Sequence, residues 1–138
     1  VKEIAGATLR ASRGIFAFSF STMVQGMEIR IDDVAGMAHG ESRVFEFPRN
    51  GRTGQGFLIR YGDEFRAYLN QCSHWLVPLD LGDGDFFHAA IDRIACKTHG
   101  ATFRLEDGAC DSGPCFGARL ETYPVVFRGN SAIVTVPD

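Results

Sequence analysis

A chain of 138 residues with a formal net charge of -3 is of single-domain size, and its scattered Lys and Arg offer no basic patch for nucleic acid. Sixteen Gly and twelve Phe favour short strands and tight turns over long helices, so the expected class is all-β. There is no 18-residue apolar run and no secretory apolar segment, which predicts no membrane insertion and a cytoplasmic protein.

Residues 4–26 contain Arg10, Arg13, several Ser and Thr and no acid, a composition with the flavour of a targeting segment but too weak to assign as one. Phe16, Phe18 and Phe20 alternate as a strand face does. Residues 1–36 are therefore expected to be an N-terminal extension or an extra strand, the bland alternative being a frayed terminus. The run from Met27 to Asp32 is a natural start for a compact body, and the main domain is set at residues 37–138.

Val44, Glu46 and the two Phe at 45 and 47 read as a strand ended by Pro48, with the next strand at residues 56–61. The glycine-rich stretch 50–56 is read as the loop between them. A phosphate-binding loop needs a helix N-terminus after its glycines, and a β-branched and aromatic run follows here, so the stretch is a hairpin connection. A turn at residues 61–65 leads into a strand at 65–69, which delivers the chain to Cys72.

Two short motifs carry the chemistry: Cys72-Ser73-His74 and, further on, Cys96-Lys97-Thr98-His99. Each offers one thiolate and one imidazole. Two Cys and two His also make a structural zinc site, but zinc fingers usually pair Cys with Cys and His with His. Mixed pairs suit a [2Fe-2S] cluster in which two Cys serve one iron and two His the other. Cys72 and Cys96 would take the inner iron, His74 and His99 the outer.

Together with Gly100, the Gly113-Pro114 turn and the segment from Leu120 to Val125, these motifs resemble the Rieske iron–sulfur family over residues 56–136. The resemblance implies a Rieske-type antiparallel β-sandwich with a cluster-binding subdomain of two ligand loops. It makes Cys72, His74, Cys96 and His99 the metal ligands, and it implies that Gly113 and Pro114 form a third loop covering the cluster. Trp75 and Gly100 are expected beside them at the cluster.

The apolar residues at 75–79 are expected to shield the cluster, with Leu79 packing on the second ligand loop. The acidic stretch 80–85 lacks the register and closing Glu of a calcium loop and is read as a solvated turn. Phe86, Phe87 and Ile91 should anchor the interval before Cys96, and Ile94-Ala95 should be the strand that delivers it. His88 is read as a surface or packing residue.

A strand is expected at residues 103–105, followed by a turn. Cys110 and Cys115 are open to three readings, a bridge, free thiols or small buried side chains, and the last is favoured. Residues 123–127 and 132–136 should close the chain as a hairpin.

Two ferric ions, two sulfides and two thiolates sum to zero charge, so a cluster of this kind accepts an electron more readily than a four-Cys one. High-potential members of the family bridge their ligand loops with a disulfide and place Ser and Tyr hydroxyls near the cluster. Here no Cys adjoins either loop, and Ala101 and Phe103 stand at the hydroxyl positions. The expected potential is therefore near the lower end of the Rieske range, about -150 mV and not about +300 mV.

Oxygenase chemistry needs a second iron in a 2-His-1-carboxylate site, and only His39 and His88 remain. The expected function is therefore non-catalytic: a small Rieske-type ferredoxin carrying single electrons between a flavoprotein reductase and a terminal oxygenase. The alternatives are a Rieske-like small subunit of a larger redox enzyme, similar to that of nitrite reductase, and a structural zinc module. Trp75, Leu76 and Pro114 are expected to form the apolar part of the docking patch.

Overall fold

The computed structural model describes residues 26–72, 77–98 and 100–137. Its elements are β1 (Met27–Asp32), β2 (Ser42–Arg49), β3 (Arg52–Tyr61), β4 (Glu64–Leu69), β5 (Phe87–His88), β6 (Arg93–Ala95), β7 (Thr102–Phe103), β8 (Cys110–Ser112), β9 (Thr122–Tyr123), β10 (Val125–Arg128) and β11 (Ser131–Val136). The described residues form antiparallel sheets ordered β1-β11-β10, β2-β3-β4-β9 and β5-β6-β7-β8. No helix among them is long and apolar enough to cross a membrane.

The β2-β3-β4-β9 sheet lies between two cores. Successive strand residues point to opposite faces, and in β3 the consecutive residues Phe57, Leu58 and Ile59 are all fully buried. Leu58 joins Phe45, Phe47, Ala67, Ala132 and Val134 in one core. Phe57, Ile59 and Tyr68 join Cys72, Leu79, Phe86, Cys96 and Phe103 in the other. Cys72 and Cys96 thus pack against a sheet buried on both faces.

Two contacts fasten the second core. Phe57 and Phe86 stack with ring centroids 3.9 Å apart, and the buried Tyr68 hydroxyl donates to the Leu105 carbonyl over 2.6 Å. Phe86 thus anchors the interval before Cys96 as expected, whereas Ile91 is 47% exposed and does not.

Several element boundaries differ from those expected. β2 does not stop before Pro48 but runs through it to Arg49, pairing Pro48 with Thr53. β2 is an edge strand, and there a missing N–H is tolerated. The loop at 50–56 contracts to a turn at Asn50 (φ 51°) and Gly51 (φ 75°), the two positive-φ residues of a tight hairpin. Gly56 lies inside β3, where an added Cβ would sit 2.5 Å from the Phe45 ring.

The strand expected at 103–105 is the two-residue β7, and Leu105 lies beyond it. The strand expected at 123–127 is divided at Pro124. β9 pairs with β4, while β10 pairs with β11. Proline has no N–H to extend the first ladder, and the chain changes sheets there.

Residues 1–25, including the alternating Phe16, Phe18 and Phe20, lie outside the described residues. Within the expected 1–36 segment, β1 pairs with β11 from Met27↔Val136 to Asp32↔Ser131.

Candidate metal centre

β4 ends at Leu69, directly before Asn70-Gln71-Cys72, and the Cys72 amide donates to the Val77 carbonyl over 2.9 Å. β6 delivers Cys96 in the same manner. The Cys96 amide donates to Ala101 over 2.8 Å, and the Gly100 amide donates back to the Cys96 carbonyl over 2.9 Å. Gly100 has φ 73°, a left-handed conformation that glycine adopts without steric cost.

The two turns are joined to each other, because the Lys97 amide donates to the Leu79 carbonyl over 3.0 Å. Cys72 and Cys96 are buried thiols, 0% and 1% exposed, within one apolar cluster that includes Leu79, Phe86, Ala101 and Phe103. Thiolate is the soft donor that iron–sulfur clusters require. Two buried thiols on loops tied side by side fit that group.

Ser73, His74, Trp75, Leu76 and His99 lie outside the described residues, and with them the two expected imidazole ligands. Of the other two histidines, His88 lines one cavity with Cys96, Lys97 and Gly100. His88 is exposed. His39 accepts from the Gly62 amide at Nδ1 over 3.0 Å and meets the Asp92 carboxylate at Nε2 over 2.6 Å.

Gly113 and Pro114 lie on an exposed turn that touches the second ligand turn: a Cβ added to Gly113 (φ 102°) would stand 2.7 Å from the Ala101 Cα. Cys110 and Cys115 are not merely small buried side chains, as expected, but a disulfide with Cα atoms 6.0 Å apart. The reversal of the chain at Gly113 returns it to within bridging distance.

The support under the Cys72 turn has no motif in the sequence. The buried Asn70 accepts from the Leu79 amide over 2.8 Å and donates to Gln55 over 2.6 Å and to Asp80 over 3.0 Å. Asp80 is buried and not part of a solvated turn. Burial pushes its pKa up, but hydrogen bonds from Asn70 and from the Gly82 and Gly84 amides outweigh this and hold it below the usual carboxylate value. Lys97 pairs with Asp83 and, at 3.9 Å, with Asp85. Phe116, 76% exposed beside Pro114, is an apolar surface residue that the sequence reading also passed over.

Comparison with known proteins agrees with this architecture. The chain is similar to the ferredoxin of carbazole 1,9a-dioxygenase from Nocardioides aromaticivorans IC177, at 29% identity over 80% of this chain and 98% of that one, with a TM-score of 0.58. It is also similar to a chain in a complex of reduced oxygenase and oxidized ferredoxin in carbazole 1,9a-dioxygenase, at 26% identity over 80% and 94% of the two chains, with a TM-score of 0.60. A chain from another oxygenase–ferredoxin complex shares the fold at 19% identity, over 83% of this chain and 30% of that one, with a TM-score of 0.66. No curated protein matches. The family model for the Rieske [2Fe-2S] domain matches residues 30–124, a span that contains both Cys–His motifs and the turn at Gly113, and the chain belongs to that family.

Proposed function

We propose that this protein is a low-potential Rieske-type ferredoxin, with Cys72 and Cys96 on the inner iron and His74 and His99 on the outer. The observation that carries the reading is the pair of buried thiols on two turns joined by the Lys97–Leu79 bond. When bound, the cluster supplies a one-electron couple. The chain's own part is to hold the donors still and dry: backbone bonds close each turn, and Leu79, Phe86 and Phe103 exclude water from the thiol side.

The electron donor in this proposal is a flavoprotein reductase and the acceptor a terminal oxygenase. Likeness to a dioxygenase ferredoxin over 98% of that protein's length supports a free-standing carrier. No step of bond making is assigned to the chain, and the cytoplasmic location is part of the same proposal. Pro114, exposed beside the second ligand turn, is the described member of the docking patch proposed with Trp75 and Leu76.

Electron paramagnetic resonance of the dithionite-reduced protein, with iron and zinc measured on the same sample, tests the assignment. A rhombic signal with average g near ~1.9 and two irons per chain is expected. One zinc per chain and no signal would overturn it.

A further inference from the structure

The turn at residues 112–117 leaves β8, whose Ser112 pairs with Thr102 of β7, and its far arm is tied back to β8 by the Cys110–Cys115 bridge. Ser112, Gly113, Pro114, Phe116 and Gly117 are exposed. Beyond the β7–β8 ladder its backbone bonds are local: Phe116 donates to Gly113 over 3.2 Å, Gly117 to Cys110 over 3.4 Å, Ala118 to Cys115 over 2.9 Å and Cys110 to Ala118 over 2.8 Å. By contrast, both half-cystines are 4% exposed and lie in the apolar cluster that holds Cys72, Cys96 and Ala101. The bridge is the covalent link between an exposed turn and the core around the thiols.

We propose that the Cys110–Cys115 disulfide is a positioning element that clamps Gly113 onto Ala101 and so keeps water from the buried Ala101 and Cys96. This rests on the cluster assignment above. Bridging residues only five apart closes a short loop, which restricts the unfolded chain less than a long one would, so the local release of the turn is read apart from the change in overall stability. Ala101 is fully buried although its neighbour Gly100 is exposed, and the backbone of Gly113 lies directly against it. Releasing the turn would admit water beside Cys96. Water favours the more highly charged state of a buried group, and the reduced state here carries the extra negative charge, so the potential should rise.

The test uses the holoprotein. Alkylation under denaturing conditions without reductant should label Cys72 and Cys96 and leave Cys110 and Cys115 unlabelled; labelling of all four would overturn the proposal. Cys110→Ala with Cys115→Ala should keep the far-ultraviolet spectrum, lower the thermal midpoint by several degrees, bleach at least threefold faster under an iron chelator at a temperature well below that midpoint, and show a raised midpoint potential. Unchanged bleaching and potential would overturn it.

Gly113→Ala keeps both cysteines and crowds Ala101, so it should also bleach faster with the bridge intact by mass. If the double variant does not fold, an unchanged rate in this variant overturns the proposal. Failure of the cluster assignment is separately visible, as zinc in place of iron in the unmodified protein.

Discussion

The Lys97 amide donates to the Leu79 carbonyl over 3.0 Å, and this one main-chain bond sets the two Cys-bearing turns side by side. Leu79 is itself positioned, since its amide donates to Asn70 Oδ1 over 2.8 Å. A chain of hydrogen bonds therefore runs from the end of β4 through Asn70 and Leu79 to the second ligand turn.

Asn70→Ala should break that chain at its base. The buried Leu79 amide and the Asp80 carboxylate would each lose a partner, and leaving buried polar groups unsatisfied costs about 2–3 kcal/mol. Urea unfolding should show the loss, and the variant should release iron faster than the unmodified protein. Stability within about 0.5 kcal/mol of the parent would show that water replaces Asn70.

How much of this was legible in the sequence depends on whether a feature is carried by side-chain type or by main-chain geometry. The two Cys–His motifs, the Ile94-Ala95 strand and the Phe86 anchor are patterns of residue type and read directly. The Lys97–Leu79 bond uses main-chain groups that every non-proline residue has, so no pattern announces it. Pro48 was over-read because the tolerance of proline depends on lying at a sheet edge, which is a tertiary fact. The Cys110–Cys115 bridge needed the φ of Gly113, and a cysteine spacing does not contain it.

Cys72→Ala and Cys96→Ala should each abolish cluster binding, because either change would leave only one of the two thiolates that would anchor the inner iron. Iron per chain should fall from two to near zero in both. Cys110→Ala should keep its iron at purification. Equal iron loss in all three variants would refute the assignment of ligands to the first pair.

Acid should loosen the first ligand turn through Asp80. Its folded pKa lies below its unfolded value of about 3.9, because the hydrogen bonds from Asn70 and the Gly82 and Gly84 amides outweigh burial. Its contribution to stability is therefore present above that unfolded value and is lost as pH falls through the lower folded one. Asp80→Asn should be less stable at pH 7 by about 1–2 kcal/mol and show a shallower decline between pH 4 and pH 3. Parallel urea midpoints for parent and variant across that range would refute this.

Phe103→Tyr should raise the midpoint potential, since a hydroxyl at this position follows the family's high-potential pattern and hydrogen bonds to a cluster or its sulfurs favour the reduced state. Phe103 is fully buried among Cys96, Ala101 and Cys110, so the added hydroxyl has no water to bond. An unpartnered buried hydroxyl costs about 1–3 kcal/mol, and only a sulfur acceptor would relieve it. The variant should accordingly be less stable than the parent without the cluster and recover on reconstitution, while its potential rises above the value of about -150 mV expected of the parent. Voltammetry and urea unfolding of matched apo and holo samples decide the matter. Lost stability in both forms with an unmoved potential would mean that the hydroxyl points away from the thiol side.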